Sequence, residues 1–343
     1  MRPKTLKKAI RQSLAMNVPL MVWGSPGLGK SKIIRQTVEE DGYLMEDLRL
    51  STMDTVDLRG FPDKKEDKAT WLRPSFFPDT GKKTVLLLDE ITQCNSELQG
   101  ASLQMVYDFA LGEHPLPPET RLILAGNRSI DRTGANKMIS ALKNRVIHVQ
   151  AESHYEDWLE FAMGQGYWSS VTGYIHFQPQ HLNTFDPTKD QDSFATPRTW
   201  EMVSKLEDCD EEILMDMVSG LVGKEIAPSF VAFDRLTTKI DVEGILKNPD
   251  TAPIPDKADA RYALMTGVAS RLKRNIGKYV EGATRLALRF DKDGFMEFTV
   301  ACIKAFQSSH KDYQLKAIER VDEFSKWLTD NHQYVQSVFQ EVK

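Results

Sequence analysis

Cysteine is scarce in this sequence: 343 residues hold three, Cys94, Cys209 and Cys302, far apart and never as a C-x-x-C pair. A scattered, odd-numbered set supplies neither a disulfide framework nor a zinc ribbon and fits reduced thiols serving as small core residues. Long apolar runs are missing too. None approaches the roughly 18–20 residues of a membrane span. The opening Met1-Arg2-Pro3-Lys4-Thr5-Leu6-Lys7-Lys8 is basic but leads into an amphipathic pattern instead of an export signal, so the cytoplasm is the expected compartment. No excess of positive charge is present: the formal net charge of −5 is not the footprint of a dedicated nucleic-acid binder, although a local basic loop would escape that test. Metal-ligand spacings are absent as well. There is no H-E-x-x-H, and His148 and His154 are too far apart for a helical pair. Around Asp291-Lys292-Asp293-Gly294, Arg289 and Val300 stand where a calcium loop needs its first and twelfth acidic ligands, so a turn is expected there.

What is present begins with 41% hydrophobic residues, enough for ordinary cores in two or three domains. The most informative stretch is Gly24-Ser25-Pro26-Gly27-Leu28-Gly29-Lys30-Ser31. It follows the short apolar run Pro19-Leu20-Met21-Val22-Trp23 and opens a helical pattern, Ile33, Ile34, Thr37 and Val38, that stops at Gly42. Strand, loop and helix are the context G-x-x-x-x-G-K-[ST] needs to be a phosphate loop. Glycines let successive N–H groups point inward at a helix N-terminus and cradle anionic oxygens. Lys30 then reaches the β- and γ-phosphates, and the Ser31 hydroxyl offers an oxygen to a nucleotide-bound Mg²⁺.

The second anchor is Thr84-Val85-Leu86-Leu87-Leu88-Asp89-Glu90. An apolar run without alternation suits a strand covered on both faces of a parallel sheet, and ligands gather at the carboxyl ends of such strands. Asp89 is therefore placed to hold Mg²⁺, directly or through water, and Glu90 to orient and help deprotonate an attacking water. Arg121 to Gly126 reads as another strand with Asn127 at its end, where an amide can position that water or touch the γ-phosphate.

The remaining chain is read by periodicity. Residues 5–16 form a helix on the stripe Leu6, Ile10 and Leu14, and Leu44 to Met53 a strand. Asp63 to Lys68 is a solvated charge cluster in a loop. Asn95 to Asp108 is a helix, Phe109 to Leu116 an inserted hairpin or loop, Met138 to Leu142 a short helix and Val146 to Val149 a fifth strand. Residues 1–150 thus alternate strand and helix, which predicts a three-layer α/β domain. Beyond 150 the pattern is helical, with Thr196-Pro197 as a helix start, a proline-rich seam at Lys247 to Asp256, and one amphipathic helix through Leu315, Ile318, Val321, Phe324, Trp327 and Leu328. The aromatics Trp158, Phe161, Tyr167 and Trp168 read as packing, since no basic residues interleave with them.

On these motifs, over roughly residues 1–220, the sequence resembles the AAA+ ATPase superfamily and is similar to its MoxR branch. Gly24 to Ser31 matches Walker A, Val85 to Glu90 Walker B, and Asn127 the sensor 1 asparagine. Ala141-Leu142-Lys143-Asn144-Arg145 resembles the segment ending in the arginine finger, and Thr196-Pro197-Arg198 the one opening the sensor 2 helix. Asp57-Leu58-Arg59-Gly60 resembles the Asp-Leu-x-Gly motif of MoxR proteins. Two departures stand out: Arg128-Ser129 follows Asn127 where many MoxR proteins carry proline, and Val146 replaces the common phenylalanine. Arg128 and Arg132 therefore compete with Arg145 as the finger.

The resemblance implies a P-loop NTPase core (1–150), a helical lid (151–246) and a C-terminal helical extension (247–343). It implies nucleotide binding by Gly24, Pro26, Gly27, Leu28, Gly29, Lys30, Ser31 and Lys32, Mg²⁺ held by Ser31 and Asp89, and catalysis by Glu90, Asn127, Arg145 and Arg198. Its expected activity is Mg²⁺-dependent ATP hydrolysis by a homo-oligomeric ring, a hexamer, that remodels a protein client, including proteins with a von Willebrand factor A domain. The alternative is a nucleic-acid-associated motor or loader. Phe109 to Pro118, which would supply its contact loop, contains no lysine or arginine.

Overall fold

The computed structural model describes residues 1–131 and 136–333. Arg132, one of the three arginines weighed above, lies outside the described residues. The chain falls into two compact units. The first comprises Met1–Asp157, Phe185–Gln191 and Thr196–Arg198; the second comprises Trp158–Thr184, Asp192–Ala195 and the described residues from Thr199 on.

In the first unit the strands are β1 (Leu20–Trp23), β2 (Leu44–Arg49), β3 (Phe61–Lys65), β4 (Lys68–Leu72), β5 (Thr84–Asp89), β6 (Ala110–Leu111), β7 (His114–Pro115), β8 (Thr120–Gly126) and β9 (Ile147–Gln150). Its main helices are α1 (Pro3–Met16), α2 (Lys30–Glu40), α3 (Thr55–Arg59), α4 (Ser96–Asp108) and α5 (Ser140–Lys143). One parallel sheet runs in the order β2-β5-β8-β1-β9. Successive side chains of a strand point to opposite faces, so the unbroken apolar runs feed two cores. Leu20, Val22, Val85, Leu87, Ile123 and Ala125 pack with Leu6, Ile10 and Leu14 of α1 and with Ile34 and Val38 of α2. Met21, Leu86, Leu88, Leu122 and Leu124 pack with Leu98, Ala101 and Met105 of α4 and with Leu142 of α5. Each fully buried Leu or Ile in these stripes is worth about 1.5–3 kcal/mol. The architecture expected from the sequence is the one observed: a three-layer α/β core on one parallel sheet, followed by an all-helical region.

Differences from the sequence reading have local causes. α1 starts at Pro3, whose fixed φ suits the first turn, and stops where Asn17 turns left-handed. β2 ends at Arg49, opposite Asp89, because β5 itself ends there; Leu50–Thr52 form a 3-10 turn. The charge cluster at 63–68 is the solvated tip of the antiparallel hairpin β3–β4, whose first strand is exposed throughout. An all-exposed strand carries no apolar alternation to announce it. Gly60 is the hinge of that hairpin: its φ is 91°, and a Cβ there would sit 1.9 Å from the Leu72 carbonyl oxygen. With Asp57 accepting from the Asp54 N–H at 2.9 Å and Leu58 fully buried, the Asp57-Leu58-Arg59-Gly60 motif has a structural reason at three of its positions. The second insertion is the small hairpin β6–β7, as expected.

The second unit is helical: α6 (Tyr155–Gly164, entering from the first unit), α7 (Ser169–Phe177), α8 (Pro197–Ser204), α9 (Glu211–Val222), α10 (Ala227–Lys239), α11 (Val242–Lys247), α12 (Ala258–Arg274), α13 (Ile276–Lys292), α14 (Met296–Ser309), α15 (Tyr313–Arg320) and α16 (Asp322–Asp330). Trp158 and Trp168 are buried, and Tyr167 meets Trp158 and Phe161 edge-on. The proline-rich stretch after α11 is tied down: the Arg289 guanidinium donates to the carbonyls of Pro249 at 3.0 Å and Ala252 at 2.7 Å. Gly294 ends α13 in the expected turn, with φ 86°. The last amphipathic stretch is two helices, not one. The chain turns extended at Val321, and Asp322 and Glu323 open α16, where carboxylates favour a helix N-terminus. Among the described residues, no helix is long and apolar enough to cross a membrane.

Candidate active site

The loop between β1 and α2 brings the first group of side chains to the carboxyl edge of the sheet. Gly27 and Gly29 have φ of 76° and 83°, a region open to glycine, and Gly29 caps α2 so that its first N–H groups face the loop. Pro26 and Leu28 are half-buried and Lys32 is exposed, while Gly24 lies at the buried base, its N–H donating to the Gly126 carbonyl at 3.3 Å. Lys30 uses its three donors on Gly24 O at 2.8 Å, Ser25 O at 3.1 Å and Asn127 Oδ1 at 2.9 Å. Burial pulls its pKa down to about 8; the carboxylates of Asp89, Asp131 and Glu90 oppose that shift, and Arg198 adds to it.

β5 delivers Asp89 and Glu90 beside this loop, and β8 delivers Asn127. Ser31 Oγ donates to Asp89 Oδ2 at 2.5 Å, and Asp89 Oδ1 accepts from the Glu90 N–H at 2.9 Å. Asp89 is only 8% exposed. Glu90 is left-handed at φ 58°, an uncommon conformation for a residue with a Cβ and one that concentrates at functional sites. A serine hydroxyl and a carboxylate are the hard oxygen donors Mg²⁺ accepts when substrate phosphates and water complete its shell. Among the described residues no three His, Cys, Asp or Glu side chains group as a metal site.

Arg198 also belongs to this unit. Its N–H donates to the Gly27 carbonyl at 3.2 Å, and the buried Thr196 packs so tightly on Gly27 that a Cβ there would lie 2.7 Å from Thr196 Oγ1. Arg145 is exposed, following α5, and donates to Ala141 O at 2.8 Å while its Cζ stands 4.4 Å from the centre of the Tyr107 ring. Its competitor Arg128 is bound up: Asp131 accepts from its backbone N–H at 3.1 Å and from Nε and Nη2 of its guanidinium at 2.7–3.2 Å. The structure thus gathers Lys30, Ser31, Asp89, Glu90, Asn127 and Arg198 around one loop and leaves Arg145 apart from them.

Three residues of this neighbourhood were not foreseen. Ser51 donates to Glu90 Oε2. It lies two residues past Arg49, which pairs with Asp89, so knowledge of the strand order would have found it. Thr92 brackets Asn127, accepting from its N–H and donating to its carbonyl, both at 3.1 Å. Asp131, 2% exposed, holds Arg128 and lends negative potential to Lys30. A serine, a threonine and an aspartate in turns carry no sequence signal of their own.

No family model and no curated protein matches the sequence. Among solved structures, NtrX from Brucella abortus in complex with ADP is 15% identical, aligning over 85% of this chain and 68% of its own at a TM-score of 0.41. The same protein in complex with ATP is 14% identical over 85% and 67%, also at 0.41. A RuvB mutant from Thermotoga maritima is 17% identical over 84% and 81%, at 0.36. Likenesses this loose add nothing to the fold and the site described above.

Proposed function

We propose that the chain is an AAA+ ATPase of MoxR-like type that hydrolyses ATP with Mg²⁺ and works in the cytoplasm as a homo-oligomeric ring, a hexamer, remodelling a protein client. The observation that carries this reading is the convergence of Lys30, Ser31, Asp89, Glu90 and Asn127 from three distant segments at one loop. In this reading the loop from Gly24 to Lys32 holds the triphosphate, and Lys30 turns its ammonium from the loop carbonyls to the β- and γ-oxygens. Ser31 and Asp89 would hold Mg²⁺, which when bound neutralises charge on the phosphates. Glu90 orients a water in line with the γ-phosphorus and takes its proton as the bond to the β–γ bridging oxygen breaks; Asn127 fixes that water. Arg198, rooted on Gly27, reports the γ-phosphate to α8. Arg145 acts on the nucleotide of a neighbouring copy, so hydrolysis needs assembly. Residues 151–246 serve as the lid and 247–343 as an extension, and the client is a protein of the kind carrying a von Willebrand factor A domain.

The test is ATPase rate per subunit against protein concentration, with and without single-stranded DNA. A rate that rises with concentration and ignores DNA supports a trans-acting arginine in a protein-remodelling ring. A rate flat in concentration but stimulated by DNA overturns that reading in favour of a nucleic-acid motor.

A further inference from the structure

Arg145 is oriented without being paired. Its guanidinium is fixed by one hydrogen bond to Ala141 O and by the face of Tyr107, yet among the described residues no carboxylate pairs with it. An aromatic face attracts a cation through its quadrupole without cancelling the charge. Arg128 shows the contrast, its charge answered by the Asp131 carboxylate. A cation that is oriented but not neutralised retains its full attraction for an external anion.

The placement of Tyr107 follows from the helix beneath it. Leu98, Ala101, Met105 and Val106 of α4 are buried, which turns residue 107, one before the end of the helix, outward to 63% exposure. The same helix fixes the arginine's own support: Gln99 Oε1 accepts from the Ile139 N–H at 2.9 Å at the start of α5, and Leu142 of α5 is buried in the α4 core. Ring and arginine therefore stand on one rigid pair of elements. An exposed tyrosine on such a frame gains little from packing, and its ring faces this cation.

We propose that Tyr107 is a positioning residue for ATP hydrolysis, holding the Arg145 guanidinium uncancelled and aimed outward at the γ-phosphate of ATP bound to a second copy of the chain. This rests on the trans-acting reading of Arg145 given above. The tyrosine acts through the arginine alone and touches no reacting atom. Its ring, not its hydroxyl, is the working part.

The experiment uses the full chain with Arg145→Ala, Tyr107→Ala, Tyr107→Phe and the double substitution, measuring kcat, nucleotide affinity and melting temperature. Arg145→Ala lowers kcat by about 1000-fold. Tyr107→Ala lowers it by about 5- to 30-fold, the range of a cation–π contact from exposed to desolvated, with nucleotide affinity and melting temperature unchanged. Tyr107→Phe restores the rate, and adding Tyr107→Ala to Arg145→Ala costs nothing more. In mixed assemblies, Glu90→Gln subunits, which cannot hydrolyse but still present Arg145, revive Arg145→Ala subunits, and they revive them less when they also carry Tyr107→Ala. A normal rate for Arg145→Ala, or no revival in the mixture, overturns the trans reading itself. If Arg145→Ala is slow and revived while Tyr107→Ala is normal, or if Tyr107→Phe is as slow as Tyr107→Ala, only the role of Tyr107 is overturned.

Discussion

In the α/β unit buried polar side chains reach across the sequence to one another: Lys30 to Asn127, Ser31 to Asp89, Thr92 to the backbone of Asn127. In the helical unit several buried threonines bond to the backbone of their own or a neighbouring helix. Thr266 donates to Tyr262 O and Thr284 to Val280 O, each four residues back, and Thr299 reaches the neighbouring helix at Ala287 O. The second arrangement satisfies a buried hydroxyl at low cost and fixes packing. The first ties three strands and a loop together through groups that are expensive to bury, including a lysine whose pKa burial depresses. Long-range polar bonding at a sheet edge marks chemistry; short-range bonding along a helix marks structure.

The strongest way to break this comparison is Lys30→Ala. It should weaken ATP binding by roughly 100-fold or more, since charged hydrogen bonds to phosphate are lost, and turnover should vanish while the fold survives. A titration with fluorescent nucleotide checks it, and unchanged affinity would remove the loop's role. Glu90→Gln comes next. It should keep ATP bound and slow hydrolysis by about 100- to 10,000-fold, the usual contribution of a positioned general base; an active variant measured by phosphate release sinks the assignment. Ser51→Ala sharpens the comparison by removing one hydrogen bond to the Glu90 carboxylate. Turnover should fall about fivefold at unchanged affinity, the equivalent of one such bond, and a faster rate would mean that Ser51 restrains Glu90.

The smallest effect belongs to the helical unit. Burial lowers the pKa of His181, whose Nδ1 lies 2.7 Å from the Tyr174 hydroxyl. The unfolded chain, with an ordinary histidine near 6.5, then takes up a proton before the folded one does. Stability from this group is full above that pH and is lost as pH falls through it toward the lower folded value. Melting temperature should drop between pH 7.5 and 5.5, and His181→Gln should flatten the slope while leaving ATP turnover at pH 7.5 within roughly twofold. A variant with the same slope removes His181 from the account.

How far the sequence could be read follows the same division. The central strands β1, β5 and β8 were legible because their apolar runs are continuous, and the loop because its glycines and lysine have fixed spacing. Lys30, Asp89, Glu90 and Asn127 were placed at strand ends, where the sheet brings them together. Ser51, Thr92 and Asp131 were not legible, because their partners are set by strand order and register and not by spacing along the chain. The hairpin β3–β4 escaped because its first strand is exposed throughout and carries no apolar alternation. The break at Val321 escaped because the apolar stripe runs on through it: Ala317, Val321 and Phe324 are all buried, so periodicity alone continues where the backbone does not.

The close approach of Thr196 to Gly27 has a consequence for heredity. Space that a side chain at 27 would need is already filled by a residue 169 positions later, as the two residue numbers show. A lineage that enlarges one position collides with the other, and one that shrinks Thr196 opens a gap beside the loop. Descendants of this chain should therefore keep glycine at 27, which its φ of 76° and the crowding by Thr196 both demand, and vary position 196 only within what the loop's packing tolerates.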